Sequence, residues 1–151
     1  MTTQEPDVLI ENDQKYMLQS YPLESFFQNH ERPSRKMHKT SNHRGYIATW
    51  KIEDKKLYLI ALRGSPATNQ NFSLKTLFPT ETSPIFTEWF TGSLFIPHGD
   101  RLRNVFRGFT PLYEKQEQIE VEQGMIINRI MRTYDKKSKK YTKISGNNSN
   151  A

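Results

Sequence analysis

The chain has 151 residues, enough for one domain with a core of its own and too few for two. Leu, Ile, Val and Phe together number 34, about 23% of the chain, and the mean hydropathy of -0.81 points the same way. The expected core is lean, supplemented by 12% aromatic residues, and a substantial disordered fraction is expected beside it. The formal net charge is +6, and the absence of Cys excludes disulfides, thiolate metal sites and cysteine nucleophiles.

The charge is unevenly spread. Residues 1–31 carry one Lys against six acids, whereas residues 32–51 carry six Lys or Arg and no acid. Residues 52–134 are nearly neutral, and residues 135–151 hold five Lys and one Asp. The basic character therefore sits in one loop-like segment and one tail. The acidic start lacks an apolar stretch of the secretory kind, and the longest apolar run, Leu57 to Leu62, is far shorter than a spanning helix of about 20 residues. A cytoplasmic protein without membrane contact is expected.

In chain order, Val8–Ile10 and Tyr16–Leu18 flank a polar turn and predict a hairpin. Pro22 suits the first turn of a helix whose apolar positions are Leu23, Phe26 and Phe27, ending near His30. Residues 31–44 show no apolar periodicity and predict an exposed basic loop. Tyr46, Ala48, Trp50 and Ile52 alternate onto one face, and after a turn Leu57–Leu62 predicts a strand in the middle of a sheet. Ser73 is a good N-cap for a short helix through Leu74, Leu77 and Phe78. Trp89–Ile96 predicts a strand bulged at Gly92, and Pro97–Asp100 a turn into Leu102–Phe106.

Gln116–Glu122 alternates with Ile119 and Val121 inward, and Gln123-Gly124 turns into a last strand, Met125–Tyr134. The result is an α+β domain of mainly antiparallel β structure, barrel-like or strongly curved, with two short helices. One globular domain spans 1–134 with its basic loop at 31–44, followed by a disordered Lys-rich tail at 135–151.

The sequence combines Arg44-Gly45-Tyr46, Trp50-x-Ile52-x-Asp54-x-x-Leu57-Tyr58-Leu59, Leu77-Phe78-Pro79, and Trp89-Phe90-x-Gly92-x-Leu94-x-Ile96-Pro97-x-Gly99 followed by Tyr113-Glu114 as one set. Over residues 16–124 this set resembles a family of small uncharacterised bacterial proteins. The resemblance implies a bacterial source and a single domain, and carries across no activity and no catalytic residue.

The four histidines, His30, His38, His43 and His98, form no HxxxH or HExxH pair and read as solvated loop residues, so no metal site and no cofactor is expected. P-loop, GxGxxG and GxSxG patterns are lacking. His43, Arg44, Tyr46, Glu114 and His98 are the residue types a metal-independent ribonuclease would need, without a motif that joins them. Arg101, Arg103 and Arg107 alternate along one strand, with Phe109 and Tyr113 nearby; Arg and aromatic residues are the types that dominate interface energetics.

The leading expectation is thus a non-enzymatic protein that binds another protein, such as a toxin in an immunity or antitoxin role, through Arg101, Arg103, Arg107, Phe109 and Tyr113. The first alternative is a nucleic-acid binder gripping phosphates through Arg35, Lys36, Lys39 and Arg44 and through the tail, where Tyr141 could stack on bases; the second is a metal-independent ribonuclease-like enzyme.

Overall fold

The computed structural model describes residues 5–33, 44–64, 73–107 and 110–148, the last four of them as backbone alone. Nine strands and two one-turn helices follow one another as β1 (Asp7–Glu11), β2 (Gln14–Leu18), α1 (Leu23–Phe26), β3 (Tyr46–Glu53), β4 (Lys56–Gly64), α2 (Leu74–Leu77), β5 (Ile85–Phe86), β6 (Gly92–Arg107), β7 (Thr110–Glu122), β8 (Met125–Asp135) and β9 (Lys140–Asn148). The expected mainly β architecture with two short helices is the one observed. Among the described residues no helix is long and apolar enough to cross a membrane.

Three tight hairpins organise the sheet. Both central residues of each turn have positive φ: Asn12 and Asp13, Asp54 and Lys55, Gln123 and Gly124. Such turns match the right-handed twist of the strands they join. Gly124 is held by more than φ. A Cβ there would stand 2.8 Å from both the Phe86 ring and the Thr87 carbonyl oxygen. Its own N–H donates to the Phe90 carbonyl, and its carbonyl accepts from Leu57 N–H.

All neighbouring strands are antiparallel except β1 and β3, which run parallel with Leu9 opposite Trp50. The order is β2-β1-β3-β4-β8-β7-β6, with β5 on β4 and β9 on β8. The β4–β8 junction is narrow, a single register pair between Lys56 and Met125. At the other end β2 and β6 share no ladder among the described residues, so the sheet is open. Two contacts nevertheless bring these ends together: Gln19 N–H donates to the Phe95 carbonyl at 2.8 Å, and Phe95 N–H to Ser20 Oγ at 3.2 Å.

Period-two patterning explains the core. Tyr46, Ala48, Trp50 and Ile52 of β3 are buried, as are Leu57 and Leu59 of β4, Leu94 and Ile96 of β6, and Ile119 and Val121 of β7. Leu23 and Phe26 of α1 join this cluster with Phe78, which follows α2; Ser73 caps α2 by accepting from Thr76 N–H at 3.2 Å. Phe26 links the helices to the sheet, its ring centroid 4.7 Å from Phe78 and 5.3 Å from Trp89.

Three expectations need correction. The strand predicted to start at Trp89 begins at Gly92, whose pairing with Val121 is regular. The irregularities lie further on, between His98 and Arg101 and between Arg101 and Phe106, where Gly99 and Asn104 take positive φ. Pro97–Asp100 is therefore a bulge inside one long strand rather than a turn. Finally, the tail predicted to be disordered contains β9, paired with β8 from Asp135↔Lys140 to Asn128↔Asn148. Ladder bonds come from the backbone and need no apolar side chain, so composition could not announce this strand.

Candidate functional site

Four guanidiniums of the described residues are withdrawn at least partly from water: Arg32, Arg44, Arg129 and Arg132. Three of them meet a carboxylate. Arg32 pairs with Glu24, Arg44 with Asp7 at 3.3 Å, and Arg129 with Glu11 and with Glu117 at 3.3 Å.

The Asp7–Arg44 pair is the most deeply placed. Asp7 is fully buried and accepts from Arg44 Nη2, from Ala48 N–H at 3.0 Å and from Trp50 Nε1 at 3.1 Å. Burial pushes its carboxyl up to about 6 against the opposing pull of Arg44 and the two N–H donors. Arg44, only 7% exposed, lies 3.9 Å over the Tyr21 ring and donates from Nη2 to the Tyr46 carbonyl. Burial raises the Tyr46 phenol as well, with the charges of Asp7 and Glu24 adding to it; its hydroxyl donates to Glu24 at 2.7 Å.

Arg44 is thus a core-side cation rather than the phosphate-gripping loop residue expected. Its buried carboxylate partner, 37 residues away in sequence, is what draws it inward. Arg35, Lys36, Lys39, His38, His43 and Phe109 lie outside the described residues.

A second network closes one end of the sheet interior. Glu117 accepts from Arg129 and lies 3.1 Å from His98 Nε2, and the His98 ring is edge-on to Tyr16 with centroids 5.9 Å apart. Burial opposes the charge on Arg129, but its hydrogen bond and ion pair with Glu11, and then those with Glu117, hold its pKa above the ordinary value. The residues considered for nuclease chemistry are dispersed. Arg44 and Tyr46 belong to the Asp7 network, His98 to that of Glu117, and Glu114 Oε1 accepts from Asp100 N–H beneath Gly99.

Arg132 is the exception among the four guanidiniums. Its Nη1 donates to Gln118 Oε1 at 2.5 Å, Gln118 in turn donates to Ser93 Oγ at 3.0 Å, and no carboxylate meets it among the described residues. It stands beside a hollow of about 270 Å³ lined also by Phe95, Arg107, Gln116, Lys140 and Tyr141. A second hollow of about 200 Å³ shares Phe95, Arg107 and Gln116 and adds Gln19, Thr110 and Leu112. Together they form a groove on the face of β6, β7 and β8 opposite the core, bounded by β9.

The register explains this assembly. Phe95 is opposite Gln118 and Gln116 opposite Arg132, so all four project from the same side, while the intervening Leu94, Ile96 and Ile119 enter the core. Tyr141 is fixed at the rim because its hydroxyl donates to the Tyr113 carbonyl at 2.7 Å and accepts from Tyr113 N–H at 3.1 Å. Burial raises the Tyr141 phenol. The Arg107 guanidinium lies 6.0 Å from the Tyr141 ring centroid.

Of the residues singled out for partner binding, Arg107 lines both hollows and Tyr113 holds Tyr141 in place. Arg101 instead lies over the Phe106 ring at 5.5 Å, and Arg103 is exposed within the second irregularity. Asn104 interrupts the strand period, so the half-buried residues here are Leu102 and Val105, three apart, and Phe106 is 41% exposed. The three arginines therefore do not share one regular face.

Phe95, Gln116, Gln118 and Arg132 were not singled out by sequence, whereas Lys140 belongs to the tail expected to grip phosphates. Strict alternation gave the signal for the first three, since the neighbours of inward Leu94, Ile96 and Ile119 must face outward. No protein-family model matches the chain, and no curated protein and no solved structure is detectably similar to it.

Proposed function

We propose that this is a non-enzymatic bacterial protein of the cytoplasm that binds a macromolecular partner, an acidic surface of another protein, in an immunity or antitoxin type of role. One observation carries the reading: among the described residues Arg132 is the partly buried guanidinium without a carboxylate, and Arg107 and Lys140 line the same hollow. A cation preorganised by a neutral amide is ready for an anion arriving from outside. The sheet is barrel-like in this reading, supported by the Gln19 and Ser20 contacts to Phe95 that draw its two ends together.

The test is capture of a partner from nuclease-treated host lysate, followed by measured affinity for the purified pair. Arg107→Glu is expected to weaken binding at least about tenfold, through loss of one attraction and gain of one repulsion. Arg103→Glu, outside both hollows, should change it less than about twofold. Equal losses from the two variants would rule out the groove.

A second reading, nucleic-acid binding, is favoured by one further observation. Lys140 and Tyr141 of the basic tail share a hollow with Arg107, offering a cation and an aromatic ring to a single strand. It requires affinity that falls steeply and linearly with log salt concentration.

A further inference from the structure

The two hollows differ in chemistry. One is cationic, with Arg107, Arg132 and Lys140 around Tyr141. The other shares Phe95 and Arg107 with the first, but in place of Arg132 and Lys140 it has the apolar Leu112 with the neutral Gln19 and Thr110. Gln116 belongs to both, and its amide, unlike those of Gln19 and Gln118, makes no hydrogen bond among the described residues. A primary amide offers one acceptor and two donors, the complement of a peptide backbone.

We infer that the groove takes an extended acidic segment of the partner protein, with an apolar or aromatic side chain seated on Leu112 and Phe95, a nearby carboxylate between Arg107, Arg132 and Lys140, and the intervening backbone on Gln116. The inference rests on the reading of the groove as the partner-binding face and specifies what that face selects. Side chains two positions apart in an extended segment project to the same side about 6.6 Å apart, a spacing suited to two adjoining hollows. Charge complementarity fixes the sign. Among the described residues the cationic hollow has no lining carboxylate, and Glu114, on the same strand as Gln116, is turned to Asp100 N–H.

The experiment uses the full chain and short labelled peptides read by fluorescence anisotropy. The reference peptide carries one Phe and, two positions on, a Glu followed by a second Glu. Replacing its Phe by Ser, or its Glu residues by Gln, is expected to weaken binding about tenfold in each case. On the protein, Thr110→Trp fills the apolar hollow from an exposed position and should abolish the advantage of Phe over Ser while leaving the dependence on Glu. Arg132→Gln should do the reverse.

Equal affinity for the Phe and Ser peptides overturns the inference while leaving the binding face intact. Tighter binding of a homopolymeric single strand than of any peptide overturns it in favour of nucleic acid. If no peptide binds while Arg107→Glu still releases the captured partner, the motif is wrong and the face is right. If that variant retains the partner too, both fall.

Discussion

Asp7 is the residue at which local chemistry and global stability meet most directly. Its carboxyl is raised to about 6 chiefly by burial, whereas an unfolded Asp has the ordinary value of 3.8. The folded state therefore binds the proton more tightly than the unfolded state does. The stabilising contribution is fully present below 3.8 and is lost as pH rises through 6, by about 2 to 3 kcal/mol in total. Asp7→Asn keeps an acceptor for Ala48 N–H and Trp50 Nε1 but cannot titrate. Comparing urea unfolding at pH 4 and pH 7, the wild-type chain should lose more stability on going to pH 7 than the variant does. The same pH difference in both proteins would show that the Asp7 proton plays no part. The parity of Asp7 with buried Leu9 was visible in the sequence, but its partner was not, because Arg44 reads locally as one more cation in a basic segment.

At the scale of elements, the hairpins were legible because their turns are short and polar and their strands alternate. Ile119 and Val121 inside with charged neighbours outside is a pattern that only one face can satisfy. β9 escaped because its stability comes from its partner strand and its turn. Asp135 accepts from Lys137 N–H and from Ser138 Oγ, contacts that hold its pKa below the ordinary carboxylate range, and Lys139 takes φ +58° to close the connection. Deleting residues 136–151 should leave the core intact, since no described side chain of β9 belongs to the buried cluster. Amide hydrogen exchange along Asn128–Asp135 should then speed up, and partner affinity should fall with the loss of Lys140 and Tyr141. Unchanged protection of β8 in the truncated chain would refute the β8–β9 pairing.

The whole molecule turns a segregated sequence charge into an asymmetric surface. Of the six acids in residues 1–31, Asp7, Glu11 and Glu24 pair with Arg44, Arg129 and Arg32, while Arg107, Arg132 and Lys140 around the groove meet no carboxylate among the described residues. Glu24 and Arg32, eight residues apart, pair locally beside α1, but the Asp7–Arg44 and Glu11–Arg129 pairings could not be read from spacing, because they join distant segments whose neighbourhood depends on the parallel β1–β3 contact and the narrow β4–β8 junction. Glu11 and Arg129 are 118 residues apart, and their bond ties β1 in one half of the sheet to β8 in the other. If that tie holds the halves together, Arg129→Ala should destabilise the fold by about 1–3 kcal/mol, because it leaves Glu11 and Glu117 partly buried without their cation. Adding Glu11→Gln and Glu117→Gln to Arg129→Ala should recover most of the loss by removing the stranded charges. Urea unfolding of the three-residue variant beside the single one decides the matter. No recovery would mean that Arg129 acts through the packing of its methylenes, and that the halves are held by the core and the Phe95 contacts alone.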